Sequence, residues 1–162
     1  MKKIKLTQGR FAIVDDEDYE IFSSFNWYTS SSGYAIRMSL KSEHKSNKRK
    51  TIILHRIIVK CPEGKEVDHI NGDRLDNRRT NLRVCSHQQN TRNVRMPFTN
   101  TTGYKGVTSN NSCKVNPWAA KIWCNERLIY LGGYPTKEEA ALAYNKKAKE
   151  LFGEFALLNK VK

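Results

Sequence analysis

The pattern of apolar and polar positions predicts short strands in the first part of the chain and one amphipathic helix near its end. Lys3–Leu6 and Phe11–Val14 read as strands separated by Gln8-Gly9. Asp15–Glu20 is an acidic run leading into a short helix over Ile21–Phe25, with Asp16 near the helix start, where carboxylates are favoured. Nothing at ligand spacing converges on this run, so capping and a solvated face account for it. Trp27-Tyr28 follows, then Tyr34–Leu40. There Tyr34, Ile36, Met38 and Leu40 share one face, and Arg37, Ser39 and Lys41 the other. Lys41–Lys50 is a polar basic loop, open to two readings, a phosphate-facing segment or a hairpin tip, and His44 in it is given no role. Ile52–Val59 sets His55 and Arg56 among apolar residues, and Pro62-Glu63-Gly64-Lys65 forms a turn. Residues 1–60 are thus expected to form a small, mostly antiparallel β unit.

From Val67 to Asn90 the pattern reads strand, loop, strand, helix. Asp68 and His69 end the first strand, and alternation sends their side chains to opposite faces. Asn71-Gly72-Asp73 and Asp76-Asn77 are turn formers, read as capping the loop. Leu82-Arg83-Val84 can return as a strand. Ser86 and Gln89 have capping-box spacing, with Asn90 in the first turns of the helix behind them. Pro97 and the Thr/Asn run up to Gly103 interrupt all periodicity. Beyond it, Tyr104–Thr108, Trp118–Cys124 and Arg127–Leu131 read as strands, and Gly132-Gly133 with Pro135 as the end of the sheet. Thr136 and Glu139 form a second capping box. Ala140, Ala141, Ala143, Tyr144, Ala148, Leu151 and Phe152 make the apolar stripe of a helix stopped by Gly153. That helix should cover Trp118, Ala120 and Ile122, leaving Ala119, Lys121 and Trp123 outward.

Charge changes this picture. In 162 residues there are 29 Lys+Arg against 16 Asp+Glu, a net +13. Residues 1–66, 67–96 and 97–162 each carry a basic excess, so the charge belongs to the whole surface and favours a polyanionic partner. In residues 67–96 every basic residue is Arg: Arg74, Arg78, Arg79, Arg83, Arg92 and Arg95. Arginine offers a planar fork matched to phosphate, although some of these should pair with Asp73 and Asp76. Cys61, Cys85, Cys113 and Cys124 have no zinc spacing and are read as reduced. No apolar run approaches a membrane span, and the basic start lacks a signal-peptide core. A cytoplasmic protein is expected.

Asp68, His69, Asn81 and Asn90 make chemical sense together. Phosphodiester hydrolysis needs an activated water, relief of charge on phosphate and help for the leaving oxygen. A neutral His suits the base, and a hard cation takes oxygen ligands while keeping several waters. This makes His69 the base and Asp68 and Asn90 the metal ligands, with Mg²⁺ or Mn²⁺ expected and zinc not. His87, at the start of the helix, is the competing third position.

Asp68-His69-Ile70-Asn71-Gly72, Asp76-Asn77-Arg78, Asn81-Leu82-Arg83 and Asn90 together resemble the ββα-metal core of HNH endonucleases of the phage and intron homing type. Much of that family has His where Asn90 stands, and the homing branch commonly has Asn. The resemblance implies that Asn81 braces the loop, that His55 supports the site from behind, and that the ends produced are 5′-phosphate and 3′-hydroxyl. Gly103-Tyr104-Lys105-Gly106-Val107, Trp118 to Ile122, Leu131-Gly132, Glu138 to Tyr144 and Leu157-Leu158-Asn159 resemble the Apetala/ethylene-response-factor DNA-binding domain. That resemblance implies that the outer sheet face, with Lys105, Lys121, Trp123 and Tyr130, meets DNA. The plant family presents more Arg on this face.

The expected fold is α+β: a β-rich N-terminal unit leading into the strand–strand–helix core, then a three-stranded antiparallel sheet on one helix. The domains are placed at 1–96 (core 52–96), a linker at 97–103, and 104–162. The expected function is a metal-dependent, nicking DNA endonuclease of phage origin, acting as a monomer on double-stranded DNA in a bacterial host cell. The alternatives are a DNA-binding regulator with an inactive core, and an RNA-directed module, which no RNA-reading motif supports.

Overall fold

The computed structural model describes residues 1–43, 49–92, 100–110 and 113–161. The expected basic loop and the expected linker each lie partly outside the described residues. Two compact units are present, Met1–Asn90 and Thr91–Lys162. Both mix helix and strand.

In the first unit, β1 (Lys2–Lys5) and β2 (Phe11–Val14) form an antiparallel hairpin. Gln8 and Gly9 both take positive φ in the turn, where glycine is the cheaper residue. Helix α1 (Asp16–Phe22) begins inside the acidic run instead of after it. β3 (Tyr28–Thr29), β4 (Ala35–Met38) and β5 (Thr51–Ile53) make an antiparallel sheet in that order. Helix α2 (Leu54–Ile58) follows β5 directly. It was hidden in the sequence because five helical residues are too few to show a period. β6 (Glu66–His69) pairs antiparallel with β7 (Leu82–Cys85), and α3 (His87–Arg92) comes next. The core joins Ile4, Leu6, Ala12, Val14 and Trp27 to Leu54, Ile58, Val67 and Leu82.

The alternation expected in β4 holds, and the buried face is the one that carries Arg37 and Ser39. Arg37 and Ser39 are each 5% exposed, whereas Met38 is 39% and Leu40 50% exposed. The Arg37 guanidinium lies 4.2 Å from the Phe25 ring centroid and 5.6 Å from that of Trp27. It also donates to Glu43 and to the Met38 carbonyl. A flat cation stacked on rings and met by a carboxylate can be buried where a hydrated ammonium could not.

The acidic run is likewise more than a solvated face. Asp18 is fully buried, and its two oxygens accept from Arg79 Nε (2.9 Å) and Nη2 (2.7 Å). Asp15 Oδ2 accepts from the Arg79 backbone N–H at 2.8 Å. On the other side of the same loop, Ile13 of β2 donates to the Leu75 carbonyl (2.8 Å) and accepts from the Asn77 N–H (2.7 Å). The N-terminal hairpin and α1 therefore clamp the loop between β6 and β7.

In the second unit, β8 (Val107–Ser109), β9 (Trp118–Cys124) and β10 (Arg127–Tyr134) form an antiparallel sheet with β9 in the centre. β10 runs through Gly132-Gly133, which were expected to end it. The strand absorbs them by a register shift between Tyr130 and Gly132, a bulge where glycine is tolerated. Helix α4 (Lys137–Phe152) starts with the Thr136 side chain accepting from the Glu139 N–H. Ala140, Ala141, Tyr144, Ala148 and Phe152 pack with Val107, Ala120 and Ile122. Tyr104–Gly106 is a turn and not strand. Gly106 has φ +74°, and a Cβ there would lie 2.1 Å from the Tyr144 ring and 2.5 Å from the Lys121 carbonyl oxygen, so only glycine fits. No described helix is long and apolar enough to cross a membrane.

Candidate active site

β6 sends Glu66 and Asp68 to one face and Val67 and His69 to the other, as strand alternation requires. The register places Arg83 opposite Asp68 and Cys85 opposite Glu66. Asp68 Oδ2 accepts from Arg83 Nε at 2.8 Å and from Nη2 at 2.5 Å, and both side chains are largely buried. Arg83, expected to face DNA, is thus the counter-ion of the carboxylate expected to hold a metal.

His69 is buried with its Nε2 3.4 Å from Asn77 Oδ1. Asn77 is itself fully buried, and its Nδ2 donates to the Leu75 carbonyl at 3.0 Å. Asn77 Oδ1 is therefore an acceptor, Nε2 of His69 carries the proton, and the basic lone pair belongs to Nδ1. Burial holds the His69 pKa below its ordinary value, against Asn77 and the carboxylates of Asp68, Asp73 and Asp76, which raise it. The ring is neutral near pH 7, as a base must be. The sequence marks Asn77 only as a turn former. Its spacing from His69 carried no signal, because the fold of the loop decides the contact.

Behind His69 stand two more rings. The His55 centroid is 5.0 Å away and perpendicular, and that of Tyr34 is 5.9 Å away. Tyr34 and His55 also meet edge-on at 4.9 Å. Burial pushes the His55 pKa down to about 3, aided by His69 and Arg56. Its Nδ1 is buried with no hydrogen-bond partner among the described residues.

Asn81 closes the loop. Its Oδ1 accepts from the Asn71 N–H (3.0 Å), and its Nδ2 donates to Asn71 Oδ1 (3.0 Å) and to the Asp76 carbonyl (2.8 Å). Its own carbonyl receives the Ile70 N–H at 2.9 Å, next to His69. Asp76 is held below the usual carboxylate range by Arg78, whose Nε and Nη2 lie on its two oxygens at 2.7 and 2.6 Å.

On α3 the capping box is complete. The Ser86 N–H donates to Gln89 Oε1 (2.8 Å) and the Gln89 N–H to Ser86 Oγ (3.2 Å). Asn90 Nδ2 donates to Glu66 Oε2 at 2.7 Å, and His87 Nδ1 lies 2.8 Å from Glu66 Oε1. These two contacts hold the Glu66 carboxyl below its ordinary pKa. His87 is spent on Glu66 and points its mostly exposed ring to solvent. Glu66 was not singled out from the sequence. Its position two residues before Asp68, on the same face, was the available signal.

The arginines are largely committed. Arg78, Arg79 and Arg83 pair with Asp76, Asp18 and Asp68. Arg74 donates to the Ser32 carbonyl and stacks 5.0 Å from the Tyr34 centroid. Arg92, at the start of the second unit, lies 4.8 Å from the Phe152 centroid. Arg95 is outside the described residues. On the sheet of the second unit Trp123 is 63% and Tyr130 59% exposed, with Lys121 opposite Tyr130 in register. Lys105 differs. It lies in the turn before β8, its Nζ donates to the Arg92 carbonyl at 2.9 Å, and burial lowers its pKa.

Asp68 and Asn90 offer hard oxygen donors, the chemistry of Mg²⁺ and Mn²⁺. No described group of three or more His, Cys, Asp or Glu is placed to hold a metal. Two protein oxygens fit a cation that keeps waters and takes phosphate oxygens. Asn90 Nδ2 donates to Glu66, so Oδ1 is the atom that Asn90 could offer to a cation.

Residues 54–92 match the HNH endonuclease family model. The chain is 34% identical over 160 residues to an uncharacterized HNH endonuclease, L560, of Acanthamoeba polyphaga mimivirus, covering 95% of this chain and 77% of that one. It is 26% identical over 121 residues to Protein 3.8 of Escherichia phage T7, covering 75% of this chain and 98% of that one. No solved structure matches. The chain belongs to the HNH endonucleases, and its activity is that of a DNA endonuclease.

Proposed function

We propose that this protein is a homing-type nuclease that uses one divalent cation and nicks double-stranded DNA. Asp68 and Asn90 hold the cation, His69 is the base, and Asn81 keeps the loop closed. The observation that supports this most is the buried, neutral His69, held through Nε2 so that Nδ1 is basic, next in sequence to Asp68 and within reach of its charge. His69 takes a proton from water. The oxygen of that water forms a bond to phosphorus, the bond to the 3′ oxygen breaks, and that oxygen takes a proton from solvent, leaving 5′-phosphate and 3′-hydroxyl ends. When bound, the cation polarises the scissile phosphate and relieves charge on the departing oxygen. Tyr34 and His55 wall the ring of His69 on its buried side.

The second unit serves as the DNA anchor, an Apetala/ethylene-response-factor-like module reading DNA with the face that carries Lys121, Trp123 and Tyr130. Support comes from the three-stranded sheet with its helix on one side and large exposed aromatics on the other.

Incubating pure protein with supercoiled plasmid, in Mg²⁺ or in chelator, tests the reading. Open-circular DNA should form first and only with metal, because one Asp-His…Asn set acts on one strand. Linear product from the first time points would instead mean paired sites.

A further inference from the structure

An Asn side chain can ligate a cation only through its oxygen, yet its two ends have the same shape. Something must turn it. In this protein the group positioned to do so is Glu66. Its carboxylate has no proton to give, so whatever it bonds on Asn90 must be the Nδ2 amine. That fixes the amide orientation on chemical grounds and turns the Oδ1 end away from Glu66. Each Glu66 oxygen has its own partner, Oε1 on His87 and Oε2 on Asn90, which fixes the plane of the carboxylate. Strand alternation puts Glu66 on the face of β6 that carries Asp68, so the anchor of one ligand and the other ligand share a surface.

We propose that Glu66 is the positioning residue for Asn90: it binds the amide nitrogen so that Oδ1 is presented to the cation. This rests on the reading of Asp68 and Asn90 as ligands. Outer hydrogen bonds of this kind set ligand orientation, and losing one typically weakens metal binding about 10- to 100-fold.

The test is a Mn²⁺ titration of the full chain by calorimetry or electron paramagnetic resonance, followed by plasmid cleavage. Glu66→Ala should bind Mn²⁺ about tenfold more weakly. Glu66→Gln keeps an acceptor oxygen and should recover most of the loss. The decisive variant is Glu66→Ala with Asn90→Asp. A carboxylate has two equivalent oxygens and needs no turning, so Mn²⁺ binding should return. A double variant as weak as Glu66→Ala alone would overturn the proposal, because Glu66 would then matter to structure and not to the amide. Asn90→Ala separates the two levels. If it binds weakly while Glu66→Ala binds as the parent does, the ligand reading stands and the Glu66 proposal fails. If Asn90→Ala itself binds as the parent does, Asn90 is no ligand and both fail. Should Glu66→Ala not fold, Glu66→Asp takes its place. The shorter side chain withdraws the acceptor from Asn90, and the same rescue by Asn90→Asp is required.

Discussion

Around β6 polar side chains lie inside the protein, whereas on β9 and β10 apolar ones lie outside. Asp68, His69, Asn77 and Asn81 are all buried and tied by hydrogen bonds or ion pairs, while Trp123, Leu128 and Tyr130 are each more than half exposed. Buried polar groups are costly unless every partner is present, so the first region behaves as one connected network. Exposed aromatics on a sheet owe little to the core behind them, which α4 covers from the other side. Damage to the first region should therefore reach both folding and chemistry. Damage to the second should reach only what the face touches.

The largest effect expected is on His69. His69→Ala removes the base and should slow plasmid nicking by about 10²- to 10⁴-fold while DNA binding stays near that of the parent. Gel-shift and cleavage assays on the same preparation check this. A variant that cuts at the parental rate would take the base role away from His69.

The regions also differ in how they were legible. Fixed spacing singled out Asp68, His69, Asn81 and Asn90 as candidates, and period-2 alternation with alanine-rich helical periodicity revealed β9 on α4. What stayed hidden depends on partners far away in sequence. The burial of Arg37 needs Phe25, Trp27 and Glu43 around it. The clamp on the loop needs Asp18 to meet Arg79 across 61 positions. Glu66 acquires meaning only once α3 brings Asn90 and His87 to it. Pairing with the loop carboxylates was expected and Arg78 meets Asp76, but the partners of Arg79 and Arg83, Asp18 and Asp68, could not be seen until the loop was closed. Lys105 looked like a strand residue until Gly106 and Tyr144 defined the turn.

Breaking the ion pair at Asp68 comes next in size. Arg83→Ala strands a buried carboxylate, which costs about 3–5 kcal/mol. Thermal melts in chelator should show the full loss. Melts in Mg²⁺ should show less, because a cation on Asp68 replaces the missing charge. An equal loss in both conditions would mean that Asp68 does not hold the metal.

On the exposed face the effect moves from stability to affinity. Lys121→Ala with Trp123→Ala should weaken DNA binding by about tenfold and reduce the salt slope by about one phosphate contact. Its melting should stay within about 0.5 kcal/mol of the parent, as for other surface changes. A double variant that melts normally and binds as tightly as before would remove this face from the DNA interface, and the contrast between the two regions would lose its functional half.

The smallest effect is a pH dependence confined to the buried rings. His55 titrates at about 3 in the folded protein against an ordinary 6.5, because burial, then His69 and Arg56, oppose its charge. Proton binding thus favours the unfolded chain. The stability that a neutral His55 contributes is complete above pH 6.5, falls as pH drops below it, and levels off near 3. The slope is at most about 1.4 kcal/mol per pH unit, and only part of it develops just below 6.5. His69, also lowered by burial, adds a slope of the same sign. Glu66 and Asp76 are lowered carboxylates and act only at lower pH. Between pH 6.5 and 5.5 the imidazoles therefore dominate. Urea melts of the parent across that interval should lose stability, and His55→Leu should lose measurably less. An unchanged slope in His55→Leu would show that His55 is hydrated in the folded state, and that the wall behind His69 is looser than its packing against Tyr34 implies.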